Sequence, residues 1–379
     1  MIKIAFMGVY REPSGTGTAT RNYLKAFIRS GAKVAARPIF FSAEVAEGDE
    51  EIRKAESLML GEYDAVVVAC PPYSYEVVDA SVPHTGIFFT ETNPLPASWS
   101  SYCELMDSII HPSHDQQKWC KTTNFPFSSV VPVPTDINKY FKSYKKSKLV
   151  DTSLFNFYTI SDFSHRKNFS GLLRAYFYEF KAHEQVCLTI KTNGDLNVAK
   201  NFVAETAAKA NLSEFPNVNI ITDKLTDEEI LQLHKSSDCY VSASYGEGWN
   251  LPAQDALLFG KTPIVGCYGG QKDFINNENG WVVHVTEEPC YNGGTVHFEL
   301  FTGKRLWGSP DLLELASCMR SAVSDTALRE SKGFVGMESA EQFSFEVVGK
   351  QLLGVLHDAS EKNRQKDVPS RASYPRDPV

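Results

Sequence analysis

Short apolar runs recur along this chain, separated by stretches with the 3.6-residue period of a helix. That alternation restricts the fold to α/β, with parallel strands joined by crossover helices. In the first half the runs predict strands at 2–7, 33–41, 65–69, 85–90, 108–111 and 129–133. Between the first two, Tyr23, Leu24, Phe27 and Ile28 mark one face of a helix that Gly31 stops. Pro132-Val133-Pro134 and a lysine-rich stretch (Lys139, Lys142, Lys145, Lys146, Lys148) then interrupt the pattern. It restarts with strands at 155–160, 186–191, 218–222, 239–242 and 263–267, and a helix at 169–181. A chain of 379 residues exceeds what one core usually serves. We therefore expect two doubly wound Rossmann-like domains, 1–150 and 151–358, facing across a cleft, with the last helix able to return to the first domain. The polar end, 359–379, is expected to be disordered. Ligands in open α/β sheets bind at the C-terminal ends of the strands, so the cleft between two such sheets is the expected site.

The charge balance narrows the partners. A net charge of −8 makes nucleic acid or an anionic membrane a poor default partner. No run approaches the roughly 18 apolar residues of a membrane span. The start lacks a signal-peptide core, and none of the eight cysteines forms a CxxC pair. Cys187, Cys239 and Cys267 lie in apolar runs as small hydrophobes. Together these features predict a cytoplasmic protein without a disulfide frame.

Four loops are placed to carry chemistry. Ser14-Gly15-Thr16-Gly17-Thr18-Ala19-Thr20 follows the first strand, where glycines let backbone approach a ligand ahead of a helix N-terminus. Thr20 replaces the third glycine of a dinucleotide fingerprint, which disfavours a dehydrogenase. Arg166 and Lys167 precede Asn168, an N-cap, so a bound diphosphate would meet cations and a helix N-terminus together; a solvated basic pair is the plain alternative. Ser242 to Ala256 holds Glu247 between two glycines, then Asp255 in a helix opened by Pro252 and closed by Gly260. Ionised carboxylates accept two hydrogen bonds at once, which suits a sugar or ribose diol. Gly269-Gly270 would bring backbone against a ligand or a second loop.

Together these residues resemble the retaining, GT-B-fold glycosyltransferases of family 4. Glu247-Gly248-Trp249-Asn250-Leu251-Pro252 through Asp255-Ala256 is similar to that family's paired-carboxylate motif, and Arg166-Lys167-Asn168 to its basic motif. Gly260 to Val265, Gly269-Gly270 and Asn279-Gly280-Trp281 fit the text that follows, and Thr90-Glu91-Thr92 with Pro96, Trp99 and Asp107 to Ser113 fits a looser N-terminal pattern. Three positions depart from the family: Asp255 for glutamate, Asn250 for glycine, and Ser161 for an arginine.

The resemblance implies transfer of a sugar from a nucleoside-diphosphate sugar to an acceptor hydroxyl, with retention. It places Glu247, Gly248, Trp249, Asn250 and Leu251 at the donor sugar and phosphates, and Asp255 at the ribose. Lys167 and Arg166 would lie at the leaving diphosphate, with Gly15 and Gly17 near the phosphates and acceptor. Glu91 is either an acceptor-positioning group or a structural loop carboxylate. No metal or other cofactor is expected, and donor and acceptor identities stay open. Two other functions remain: a GT-B enzyme acting on a hydroxymethylated base in DNA, using the lysines from 139 to 148, and a two-lobed sugar-binding protein without catalysis.

Overall fold

The computed structural model describes residues 1–120, 127–291 and 298–365. The first sheet is built by β1 (Lys3–Gly8), α1 (Gly15–Arg29), β2 (Lys33–Pro38), α2 (Glu50–Ser57), β3 (Ala65–Ala69), β4 (His84–Ile87), α3 (Ala97–Cys103), β5 (Ser108–His111), α4 (His114–Trp119) and β6 (Phe127–Val130). Its strands are all parallel, in the order β2-β1-β3-β4-β5-β6. β3 is buried along its whole length, as an inner strand covered on both faces must be. Ser14 caps α1 by accepting from Gly17 N, and Gly31, at φ 89°, turns the chain out of it.

The second sheet repeats the plan with β7 (Phe155–Ile160), α5 (Phe169–Glu179), β8 (Val186–Lys191), α6 (Leu196–Lys209), β9 (Asn217–Ile221), α7 (Asp227–Ser236), β10 (Cys239–Ser242), α8 (Leu251–Leu258), β11 (Ile264–Gly266) and β12 (Trp281–Val283). The order is β12-β11-β10-β7-β8-β9, again parallel. The fold is thus α/β with two doubly wound, Rossmann-like parallel sheets, as the alternation predicts.

An antiparallel hairpin follows, β13 (Val285–Tyr291) and β14 (Thr302–Pro310), then α9 (Leu312–Ser324), α10 (Thr326–Glu338) and α11 (Phe345–Gln365). α11 packs on α1 of the first half: Val348, Leu352 and Leu356 join Ala26 and Phe27 in one core cluster. A Cβ added to Gly349 would lie 2.6 Å from the Ala26 carbonyl, so the two helices meet backbone to backbone.

Several boundaries differ from expectation. β4 stops at Ile87 rather than at 90 because a side chain takes over its ladder. Gln116 donates to Phe88 O at 2.7 Å and accepts from Thr90 N at 2.9 Å. β2 ends at Pro38, before the predicted 41, and β6 covers 127–130 rather than 129–133. The hairpin and β12 were not expected. α11 runs past Asp358 to Gln365, so 359–365 is helical; the rest of the expected disordered tail lies outside the described residues. All eight cysteines are free. Among the described residues, no helix is long and apolar enough to cross a membrane.

Candidate active site

Loops from the C-terminal edges of the two sheets meet, and Glu91, Arg166, Lys167 and Glu247 gather there. Glu247, after β10, is 6 % exposed. Its carboxylate accepts from Lys167 Nζ at 2.7 and 2.9 Å, and Arg166 Nη1 lies 3.4 Å away. Arg166 Nη1 also donates to Gly246 O at 2.6 Å, and Arg166 Nη2 lies 3.7 Å from Glu91 of the first half. Two carboxylates and two cations therefore form one partly buried cluster across both halves. Burial alone would raise the Glu247 pKa, but Lys167 and Arg166 outweigh it and hold the carboxyl below its ordinary range. Burial opposes the charge of Arg166, yet Glu91 and Glu247 push its pKa up.

The local backbone explains why these side chains converge. Asn168 adopts the left-handed region (φ 50°, ψ 46°) and caps α5 by accepting from Gly171 N at 2.9 Å. That reversal fixes Arg166 and Lys167 in a short 3-10 turn after β7. The Gly246 position has no room for a side chain, because a Cβ there would sit 2.3 Å from the Glu91 carbonyl. Gly269 and Gly270 press on a second loop. Their Cβ positions would lie 2.3 Å from Glu247 O and 2.2 Å from Gly248 O, and Gly270 N donates to Glu247 O at 2.9 Å.

Asn250 stands in left-handed backbone at φ 75°, which explains the departure from glycine: asparagine is the side chain that best tolerates this region. It also caps α8 through Ala253 N and donates to Gln271 Oε1 at 2.6 Å. Leu251 opens α8, while the Trp249 ring is 4 % exposed and packs on Phe274 at 4.6 Å. Trp249 thus offers only backbone to a ligand. Gly15 and Gly17 lie in the first turn of α1 rather than in a loop. Gly15 faces open space, whereas a Cβ on Gly17 would lie 2.1 Å from Glu12 O.

Asp255 is held apart from the Glu247 cluster by partners the sequence did not reveal. It accepts from the Tyr140 hydroxyl and pairs with Lys139 Nζ at 2.9 Å, with His234 Nε2 at 3.9 Å. Lys139 is therefore not part of a solvated linker face. Burial opposes the Asp255 charge, but Lys139 and His234 hold its pKa down. His234 donates to or accepts from the Tyr158 hydroxyl at 2.8 Å. Burial drops its pKa from 6.5 to about 4 despite Asp255, with Lys139 and Lys261 pushing the same way as burial.

His234 is thus neutral near pH 7, and a stability change follows with a definite sign. Its folded pKa is depressed, so the unfolded chain binds the proton first as pH falls below 6.5. The melting temperature is expected to drop between about pH 6.5 and pH 5, above the range where Glu247 and Asp255 titrate. Melting curves of His234→Gln should be flatter over this interval; an unchanged slope would remove His234 as its source.

The hairpin completes the site, and no alternation in the sequence announced it. Trp307 of β14 stacks on Tyr245 at 4.6 Å, and Gly308 N donates to Tyr245 O at 2.7 Å. The loop carrying Glu247 thus rests on an aromatic support. The same hairpin bonds the first half, with Asn93 N to Leu306 O at 2.9 Å and the return bond at 2.7 Å.

Comparison with known proteins bears on this geometry. The family model described as "Glycosyl transferases group 1" matches residues 141–289, the span holding Lys167, Glu247 and Asp255. Residues 141–289 are thus similar to a glycosyl transferases group 1 domain, and the chain has the GT-B fold. Sequence comparison with curated proteins gives no significant match. Similar solved structures include HepE from Anabaena in complex with UDP and glucose, with a TM-score of 0.65 at 14 % identity over 94 % of this chain and 100 % of that one. Sucrose-phosphate synthase from Thermosynechococcus elongatus has a TM-score of 0.67 at 14 % identity, covering 96 % and 100 %. A glycosyltransferase from Rickettsia africae ESF-5 gives 0.65 at 13 %, covering 97 % and 100 %. Identities this low speak for the fold; the matched domain speaks for glycosyl transfer.

Proposed function

We propose that this chain transfers a sugar from a nucleoside-diphosphate sugar to an acceptor hydroxyl, with retention at the anomeric carbon. One observation carries the proposal: Lys167, Arg166 and Glu247, far apart in sequence, share one buried cluster at the facing sheet edges. UDP in the HepE structure supports a nucleoside-diphosphate donor of this kind.

In the proposed reaction, the leaving diphosphate competes with Glu247 for Lys167 and Arg166. Their charges, fixed in a partly buried site, stabilise the negative charge that grows as the glycosidic bond breaks. Released from Lys167, Glu247 turns its oxygens to the sugar hydroxyls. The backbone of Gly248, Trp249, Asn250 and Leu251 lines the sugar and phosphates, and Gly15 and Gly17 flank the phosphates and acceptor. Ribose hydroxyls displace Tyr140 or Lys139 from Asp255. Glu91, held by Arg166, positions the acceptor, whose proton passes to the departing phosphate oxygen. Positive charge comes from side chains, so the proposal requires no metal. Lys139 is engaged with Asp255, which favours this reading over DNA-phosphate binding.

The test needs no known acceptor. The protein would be incubated with α-configured nucleoside-diphosphate sugars, and slow hydrolysis followed by proton NMR before the anomers equilibrate. The expected first product is the α-anomer. A β-anomer would overturn retention. Tight donor binding with no sugar released or transferred would point instead to a sugar-binding protein.

A further inference from the structure

Lys191 closes β8 in the middle of a three-strand rung, paired with Ile160 of β7 on one side and Ile221 of β9 on the other. Facing residues of a rung share one side of the sheet, so the lysine stem lies beside two isoleucines. The residue is 6 % exposed, and its ammonium donates to Thr192 O at 2.8 Å. It forms no ion pair among the described residues. An ammonium has three protons to donate, and a buried charge left without partners is costly. Burial accordingly lowers the Lys191 pKa, with Asp223 opposing the shift. The next side chain repeats the theme: Thr192 is 1 % exposed, and its hydroxyl has no hydrogen-bond partner. Two adjacent polar groups at the C-terminal edge of the sheet are thus held ready without being satisfied.

Strand order says what reaches them. Along this edge come Glu247 after β10, Lys167 after β7, Lys191 at the end of β8, and Asp223 after β9. Successive strands are about 4.8 Å apart. A donor whose sugar faces Glu247, whose diphosphate faces Lys167 and whose ribose meets Asp255 beside His234 of α7 carries its base on toward the ends of β8 and β9. We propose that Lys191 and Thr192 form a nucleobase subsite in which the ammonium donates to a base carbonyl oxygen. This rests on the nucleotide-sugar reading above and adds selectivity to it. Uracil, thymine and guanine present a carbonyl where adenine presents an amino group, and an ammonium can only donate.

The test is calorimetric titration of the full chain and of Lys191→Met with UDP, GDP, ADP and inorganic pyrophosphate. Methionine keeps the buried stem, and loss of an unpaired charge should not lower the melting temperature; Thr192→Val is a second variant that preserves shape. The expected result for Lys191→Met is about a tenfold loss for the tighter of UDP and GDP, with pyrophosphate unchanged and ADP changed less than about twofold. Thr192→Val should weaken the same nucleotide and leave pyrophosphate unchanged. An equal loss for pyrophosphate would overturn the proposal by assigning Lys191 to the phosphates. A uniform loss across all three nucleotides would overturn it in favour of the ribose. Undiminished binding of the tighter nucleotide by both variants would sink this inference alone. A native chain that binds none of the nucleotides would sink the donor reading and this subsite with it.

Discussion

Lys167→Ala is expected to abolish the rise in melting temperature that a nucleoside diphosphate gives the native protein. A ligand bound only by the folded state stabilises it by about 2.7 kcal/mol at a hundredfold excess over Kd. Losing the cation should weaken binding by a factor of about 100 or more, which leaves at most about 0.4 kcal/mol of that stabilisation at the same concentration. The variant has a second, separable effect. Glu247 is buried and takes both of its shortest contacts from Lys167, so truncation leaves a carboxylate supported by Arg166 at 3.4 Å and by the Ser244 side chain. Removing one partner of a buried pair costs about 3–5 kcal/mol, and the remaining guanidinium places this case at the lower end. Lys167→Ala with Glu247→Gln separates the two effects. The double variant should regain stability without regaining nucleotide binding. Glu91→Ala should leave the shift intact. A Lys167→Ala protein that still shows the full shift would remove lysine from the diphosphate site.

Gly270→Ala is expected to lower stability by about 3 kcal/mol and to cut transfer activity far more than the loss of folded protein explains. The added methyl would lie 2.2 Å from Gly248 O and 2.6 Å from the Trp249 Cα. Both obstacles are backbone, so no rotamer change can make room. The Glu247 loop must move instead, and Gly270 N would lose its 2.9 Å bond to Glu247 O. Gly354→Ala in α11 is the matched control, since its Cβ position is open. Chemical denaturation and initial rates on both variants would check this. Equal behaviour of the two would show that the glycine contact does not hold the loop.

The sequence made some of this site legible and hid the rest for identifiable reasons. Glu247, Gly248 and Asp255 fall in one contiguous block, and Lys167 directly precedes a capping asparagine, so local spacing suffices to find them. The two sheets were equally legible, because buried parallel strands read as mostly apolar runs, unbroken in 65–69 and interrupted only by Thr189 before Lys191 in 186–191. Lys139 and Tyr140 were hidden. The Tyr140 bond to Asp255 spans 115 residues, and a lysine among lysines reads as solvent-facing. Asn250 looked like a flaw in a glycine position until its positive φ was visible. The hairpin was missed because Glu287, Glu288 and Pro289 on one arm and Lys304 and Arg305 on the other obscure a two-residue period. The supporting role of Trp307 could not be reached without it.

The docking of α11 on α1 has a bearing on how the polypeptide acquires its shape during synthesis. The strands of the first sheet are all translated by Val130, yet the apolar side of α1 is sealed by residues made near the end of the described chain. Early in translation Phe27 can pack on Phe6 of β1, but the backbone of α1 at Ala26, where Gly349 docks, emerges without its permanent cover, a state that exposes sticky surface to chaperones and to other nascent chains. The N-terminal half is therefore a dependent unit, which gains its finished core only once the ribosome has delivered the closing helix.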